Sequence, residues 1–159
     1  MVRLERLTAE HATAVLAFER ANRAYFAGFV PDRGDAWFAE FDTRYRMLLA
    51  EQDAGICHFH VVLDAAGELV GRVNLIDAED GSAELGYRIG EHAAGRGTAT
   101  AAVAAVCRLA AEAYGLAELT AVASVDNPAS RTVLGRNGFT VVGGVSVNGR
   151  PALRYRRAL

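Results

Sequence analysis

Residues 82–99, Ser82-Ala83-Glu84-Leu85-Gly86-Tyr87-Arg88-Ile89-Gly90-Glu91-His92-Ala93-Ala94-Gly95-Arg96-Gly97-Thr98-Ala99, read as a strand, a short glycine-bearing loop and the first turn of a long alanine-rich helix. A loop of this kind offers unpaired backbone N–H groups and the positive end of the helix dipole, which together suit an anionic phosphate. Most of the remaining chain is expected to support or complete a site at this loop.

The chain of 159 residues is expected to form a single domain, residues 1–159, large enough to bury a substantial core. A formal net charge of −2 gives no basic footprint for nucleic acid. Cys57 and Cys107 lack the close spacing of a metal or CxxC motif and read as buried apolar fillers in a reducing compartment. The start of the chain alternates charged and apolar residues, unlike a signal peptide. The longest apolar run is interrupted by Arg108 and Glu112, so no membrane span is expected and the default location is the cytoplasm.

Val2, Leu4 and Leu7 suggest a first strand, followed by a helix capped by Thr8 and running to about Tyr25. Gly28, Pro31 and Gly34 break the pattern before a second helix, capped by Asp35, that carries Trp37, Phe38, Phe41, Tyr45, Leu48 and Leu49 at helical spacing. From Ile56 the period becomes two. Cys57 to Leu63, Glu68 to Ile76 and Ala83 to Ile89 read as an antiparallel meander on short turns. A helix over about 97–114 ends at Gly115. A strand over 119–125, a short helix to Arg136, and a hairpin across Asn148-Gly149 complete the chain. The order βααβββαβαββ implies an α+β fold: a mixed, mostly antiparallel sheet flanked by helices.

Three phosphate-binding patterns compete for the glycine loop. A P-loop requires a Lys after its last glycine, and none follows. The dinucleotide fingerprint fits Gly95 and Gly97 but meets Thr100 at its third small position, after a meander strand. The third pattern places small residues where the backbone itself approaches a pyrophosphate. Here Ala94-Gly95-Arg96-Gly97-Thr98-Ala99 resembles the Q/R-x-x-G-x-G/A motif of the GNAT superfamily of N-acetyltransferases, with Ala94 departing from the usual Gln or Arg. Glu84-Leu85-Gly86-Tyr87 resembles the E-[LI]-G-Y strand of the RimJ/RimL-like branch, which acetylates protein N-termini. Asn127 and Ser130, followed by Leu134 to Phe139, resemble that branch's N-x-x-S and L-x-x-x-G-F segments. The resemblance covers roughly residues 56–145 well and the N-terminal helices by pattern alone.

This resemblance implies a GNAT-like fold and acetyl-CoA as cofactor, with CoA as product. The cofactor-binding residues it implies are Tyr87, Arg88 and Ile89 on the strand, Gly95, Arg96, Gly97, Thr98 and Ala99 in the loop, and Asn127. The strand Glu84–Gly90 would splay from Leu119–Val125 to admit the pantetheine arm, and an N–H near Tyr87 or Arg88 would polarise the thioester oxygen. The catalytic candidates are Glu84 and Ser130. Glu84 serves as base, directly or through a water, or else is a solvated carboxylate paired with Arg88. Ser130 serves as proton donor to the thiolate, or else is a helix-turn hydroxyl bonded to local backbone. Asn127 either holds pantetheine amides or makes an Asx-turn before Pro128.

His58 and His60 alternate on one strand face without a third ligand at suitable spacing, so no metal is expected and they are read as facing an acceptor site. Cys107 has no nearby His, which favours direct attack on the thioester over a cysteine nucleophile. The expected partner is an amine-bearing acceptor, either a protein N-terminus or a small molecule, for a monomer or homodimer. The acceptor site is expected between residues 26–37 and the strand around His58, with no carboxylate cluster of the kind that would favour polyamines. The alternative function is a non-catalytic acyl-CoA-binding or sensing module on the same fold.

Overall fold

A computed structural model describes residues 1–159. Seven strands form one sheet in the order β1-β2-β3-β4-β5-β7-β6. They span Arg3–Arg6 (β1), His58–Leu63 (β2), Leu69–Glu79 (β3), Ser82–Ile89 (β4), Glu118–Ser124 (β5), Thr140–Val147 (β6) and Arg150–Ala158 (β7). Every pairing is antiparallel except that of β4 with β5. The mixed, mostly antiparallel α+β architecture expected from the sequence is the one observed.

The two helices expected before the meander are each broken in two. The first becomes α1 (Ala12–Ala21) and α2 (Arg23–Ala27), the second α3 (Asp35–Ala39) and α4 (Phe41–Asp53). The first break falls at Asn22, whose side-chain amide donates to the Phe18 carbonyl at 2.9 Å. An amide side chain competing for the helix's own acceptors weakens helical continuity at that point. Asp35 opens α3 as its first residue, and Gly34, with φ of 87°, takes the cap position that the sequence assigned to the aspartate.

Alternation along each strand divides the core between the two faces of the sheet. On one face α5 (Thr98–Glu112) packs Ala102, Val103, Val106 and Ala110 against Val62, Val73, Leu75, Ala83 and Leu85. The alanines let this helix lie close to the strands, and each fully buried valine contributes about 1.5–3 kcal/mol. On the other face α1 and α4 bring Val15, Phe41 and Tyr45 onto Phe59, Val61 and Leu63. The second face also carries Arg72, Asn74 and Ile76 of β3, in register with Arg88, Gly86 and Glu84 of β4. β3 and β4 approach so closely at Gly71 that a Cβ there would lie 2.7 Å from the Arg88 carbonyl oxygen.

Candidate functional site

The parallel pairing of β4 with β5 covers only Ser82–Glu84 against Glu118–Thr120. Beyond Glu84 and Thr120 the strands part, although β4 continues to Ile89 and β5 to Ser124. Along the parted stretch β5 keeps its pairing with β7 on its other edge, and β4 keeps its pairing with β3. The gap between them exposes backbone that a continuous sheet would pair, and an extended amide-bearing arm can use it.

Past the open end of β4, the chain runs through a short 3-10 turn to the glycine loop. Asn22 anchors this passage, its Oδ1 accepting from the Glu91 N–H at 3.0 Å. Gly95 and Gly97 have φ of 71° and 78°, left-handed values that a side chain would strain. Gly97 is the residue before α5, and no side chain caps the helix start. The first turn of α5 therefore presents unpaired N–H groups and the dipole's positive end beside exposed Arg96. Thr98 and Ala99 form that turn. The loop's conformation and the uncapped helix fit a pyrophosphate, and the adjoining gap fits a pantetheine arm.

On the α5 face, β4 presents Tyr87 to α6 (Pro128–Arg136), where the Tyr87 and Ser130 hydroxyls lie 3.1 Å apart. Burial pushes the Tyr87 hydroxyl above its ordinary pKa, and the Ser130 bond offsets this in part. Ser130 thus faces another hydroxyl in addition to serving the turn. Asn127 caps α6, its Oδ1 accepting from the Ser130 N–H at 3.1 Å. Ile89 points into the α5 core.

On the opposite face lie half-buried Glu84, exposed Gly86 and Arg88. Arg88 does not pair with Glu84. Its nearest carboxylate is Glu19 of α1, at 3.6 Å, with the guanidinium 4.9 Å above the Phe26 ring. Glu19 is 1% exposed and also meets Arg72 at 3.0 Å and Arg33 at 3.2 Å. Burial holds both Arg72 and Arg88 below the usual arginine range. The sequence signals the burial of Glu19, which falls in the buried stripe of α1 beside Phe18 and four residues after Val15, but not its partners.

One expectation about the acceptor side is corrected. His58 and His60 point to the α5 face, where His58 stacks on Tyr114 at 3.8 Å and His60 Nε2 lies 2.6 Å from the Tyr114 hydroxyl. Strand parity puts them on the side of the sheet away from residues 26–37. A carboxylate cluster does occur away from that expected acceptor site, at the paired end of β4. Asp77, Glu79 and Asp80 join Glu84 around an open cleft that also includes Ser82, Thr120 and Arg154. A β-bulge between Ile76 and Glu79 and the left-handed Asp77 and Asp80 gather these side chains, which linear spacing does not reveal.

The sequence profile of the Acetyltransferase (GNAT) domain family matches residues 2–140. No curated protein sequence matches the chain. Among solved structures, ribosomal-protein-S5-alanine acetyltransferase from Vibrio fischeri is similar over 99% of this chain and 92% of its own, with a TM-score of 0.90 at 20% identity. RimJ of Mycobacterium smegmatis, solved in complex with CoA-disulfide, covers 99% of this chain and 81% of its own, with a TM-score of 0.88 at 25% identity. Spermidine N-acetyltransferase of Vibrio cholerae, in complex with CoA and spermine, covers 99% and 95%, with a TM-score of 0.81 at 21% identity. With the family profile spanning nearly nine-tenths of its length, and with the parted strands and the uncapped glycine-loop helix described above, the chain belongs to the GNAT acetyltransferase family.

Proposed function

We propose that the protein transfers the acetyl group of acetyl-CoA to a primary amine by direct attack on the thioester. The observation that carries this reading is the gap opening beyond Glu84 and Thr120, next to the uncapped start of α5 and with the Tyr87 hydroxyl of the parted β4 segment facing the Ser130 hydroxyl of α6. When bound, acetyl-CoA supplies an activated carbonyl and a thiolate leaving group. The loop N–H groups and Arg96 hold its phosphates. A backbone N–H near Tyr87 or Arg88 polarises the carbonyl, an effect worth on the order of a hundredfold or more in rate.

Glu84 removes the proton from the incoming ammonium, directly or through a water. The Tyr87–Ser130 pair returns a proton to sulfur: Tyr87 is the stronger acid of the two and Ser130 orients it. No helix is long and apolar enough to cross a membrane, and the two free, buried cysteines fit a reducing compartment such as the cytoplasm.

Calorimetric titration with acetyl-CoA, CoA and NAD tests the cofactor, and thiol release with a panel of amines tests turnover. NAD binding without CoA binding overturns the reading. CoA binding without thiol release from any amine identifies a sensing module instead.

A further inference from the structure

Arg88 is a half-buried guanidinium that donates no hydrogen bond within the chain. Its contact with Glu19, at 3.6 Å, is longer than a hydrogen bond. Glu19 cannot serve it better, because Arg33 and Arg72 already take that carboxylate's oxygens at 3.0–3.3 Å. Arg72, 4% exposed, has itself an Nε with no partner. Three guanidiniums therefore surround one carboxylate. Nearby Arg23 is engaged with Asp32 at 2.7 Å and with Asp35 at 2.9 Å, and Asp35 is 97% exposed. Counting all of these groups, this end of the site keeps an excess of positive charge.

One strand repeat away, Gly86 presents no side chain, and a Cβ built on it would meet nothing within 4 Å. Directly across from it in register stands Asn74, whose buried Oδ1 has no hydrogen-bond donor. Buried polar atoms rarely go unpaired, so an orphaned acceptor beside open space marks a position for a donor. Glu84 lies on the far side of Gly86, on the same face. The face thus reads, in order along β4, carboxylate, open floor with an unmet acceptor, and guanidinium with unmet donors.

We propose that the groove over Gly86 binds an acceptor carrying a carboxylate beside its primary amine, with Arg88 holding the carboxylate and Asn74 Oδ1 receiving an amine N–H. This rests on the acetyl-transfer reading above. The chemistry is shared by free amino acids and by peptide N-termini followed by an acidic side chain. A cationic acceptor would instead use the cleft of Asp77, Glu79 and Asp80, but that cleft lies where β4 is paired on both sides and already contains Arg154. The groove over Gly86 lies along the unpaired half of β4, where the thioester is expected.

The test compares matched acceptors in thiol-release assays: alanine against alaninamide, and peptides beginning Ala-Asp against Ala-Asn and Ala-Lys, with spermidine as the cationic reference. The expected kcat/KM preference for a carboxylate-bearing member is roughly tenfold or more, the scale of one charge-assisted hydrogen-bonded pair. Alanine and Ala-Asp peptides distinguish the two sources. Arg88→Gln is expected to bring kcat/KM for the carboxylate-bearing member of each pair down to that of its amide partner, chiefly through KM, with Arg88→Lys retaining part of the preference. Asn74→Ala is expected to raise KM for both members of each pair alike. Equal or better turnover of the amide or cationic acceptors overturns the proposal, as does an equal loss for all acceptors in Arg88→Gln. If Arg88→Gln fails to fold, Arg88→Lys and Asn74→Ala carry the comparison. If no amine is turned over, titrating the CoA-loaded protein with the same pairs still reads the preference, and equal binding overturns the proposal. Failure to bind CoA at all is a failure of the acetyl-transfer reading and is seen separately.

Discussion

The hydroxyls of Tyr87 and Ser130 lie 3.1 Å apart and join β4 to α6 across the mouth of the gap between β4 and β5. If they act as one proton-donating unit, removing either should cost nearly as much as removing both. Tyr87→Phe and Ser130→Ala are each expected to lower kcat about tenfold, and the double variant little further. Because burial raises the pKa of Tyr87 above its ordinary 10, ionisation of this residue should cause no loss of rate below pH 10. Steady-state kinetics of the three variants, with pH profiles, check this.

Glu84 stands at the last paired register before the gap opens. Glu84→Gln keeps the shape and removes the base. A fall in kcat/KM of about a hundredfold is expected. Unchanged turnover would assign Glu84 to the solvated cleft alone.

Gly97→Ala tests the loop by conformation alone. A methyl group there meets nothing within 4 Å, but φ is +78°. The strain should cost about 1–2 kcal/mol, a fall in melting temperature of a few degrees. Distortion of the N–H array should weaken acetyl-CoA binding at the same time, as calorimetry can show.

His60 links stability to pH. Burial holds its folded pKa down at about 4, against an ordinary 6.5. The unfolded chain therefore binds the extra proton first as pH falls. The resulting stability is fully present above pH 6.5 and is lost on the way down to about pH 4. The gap corresponds to on the order of 3 kcal/mol. Denaturant midpoints across this range should slope less steeply in His60→Asn than in the parent.

Glu19→Gln should be among the most damaging single changes outside the site. It leaves Arg72 and Arg33 without their carboxylate in a buried place, at a cost of about 3–5 kcal/mol. A melting temperature lower by on the order of 10 °C is the expected result.

The sequence showed the meander, the alanine-rich helix and the closing hairpin because each follows from local chemistry: a period of two, helix-forming alanines and Asn148-Gly149. It also showed the glycine loop and its neighbours Asn127 and Ser130. The breaks at Asn22 and Glu40 were not legible, since the apolar spacing of the helices runs through both. The acidic cleft around Glu84 depends on a bulge that brings Asp77 and Asp80 round a corner. The Glu19 cluster depends on α1 crossing β3 and β4, a tertiary placement joining residues 53 and 69 positions apart. The face taken by His58 and His60 is not legible either, because alternation tells which residues share a side but not which side faces which helix.

The short seam between β4 and β5 makes the sheet two plates, β1–β4 and β5–β7, whose strands touch at only three residue pairs. Ala83 and Leu119, 3% and 0% exposed, sit opposite each other in that seam. The five residues of β4 beyond it extend about 16 Å, so a tilt of about 5° at the seam shifts their far end by more than an ångström, by simple leverage over that length. The width of the opening is therefore set by the packing of two buried side chains, Ala83 and Leu119, that lie in the seam and outside the opening itself.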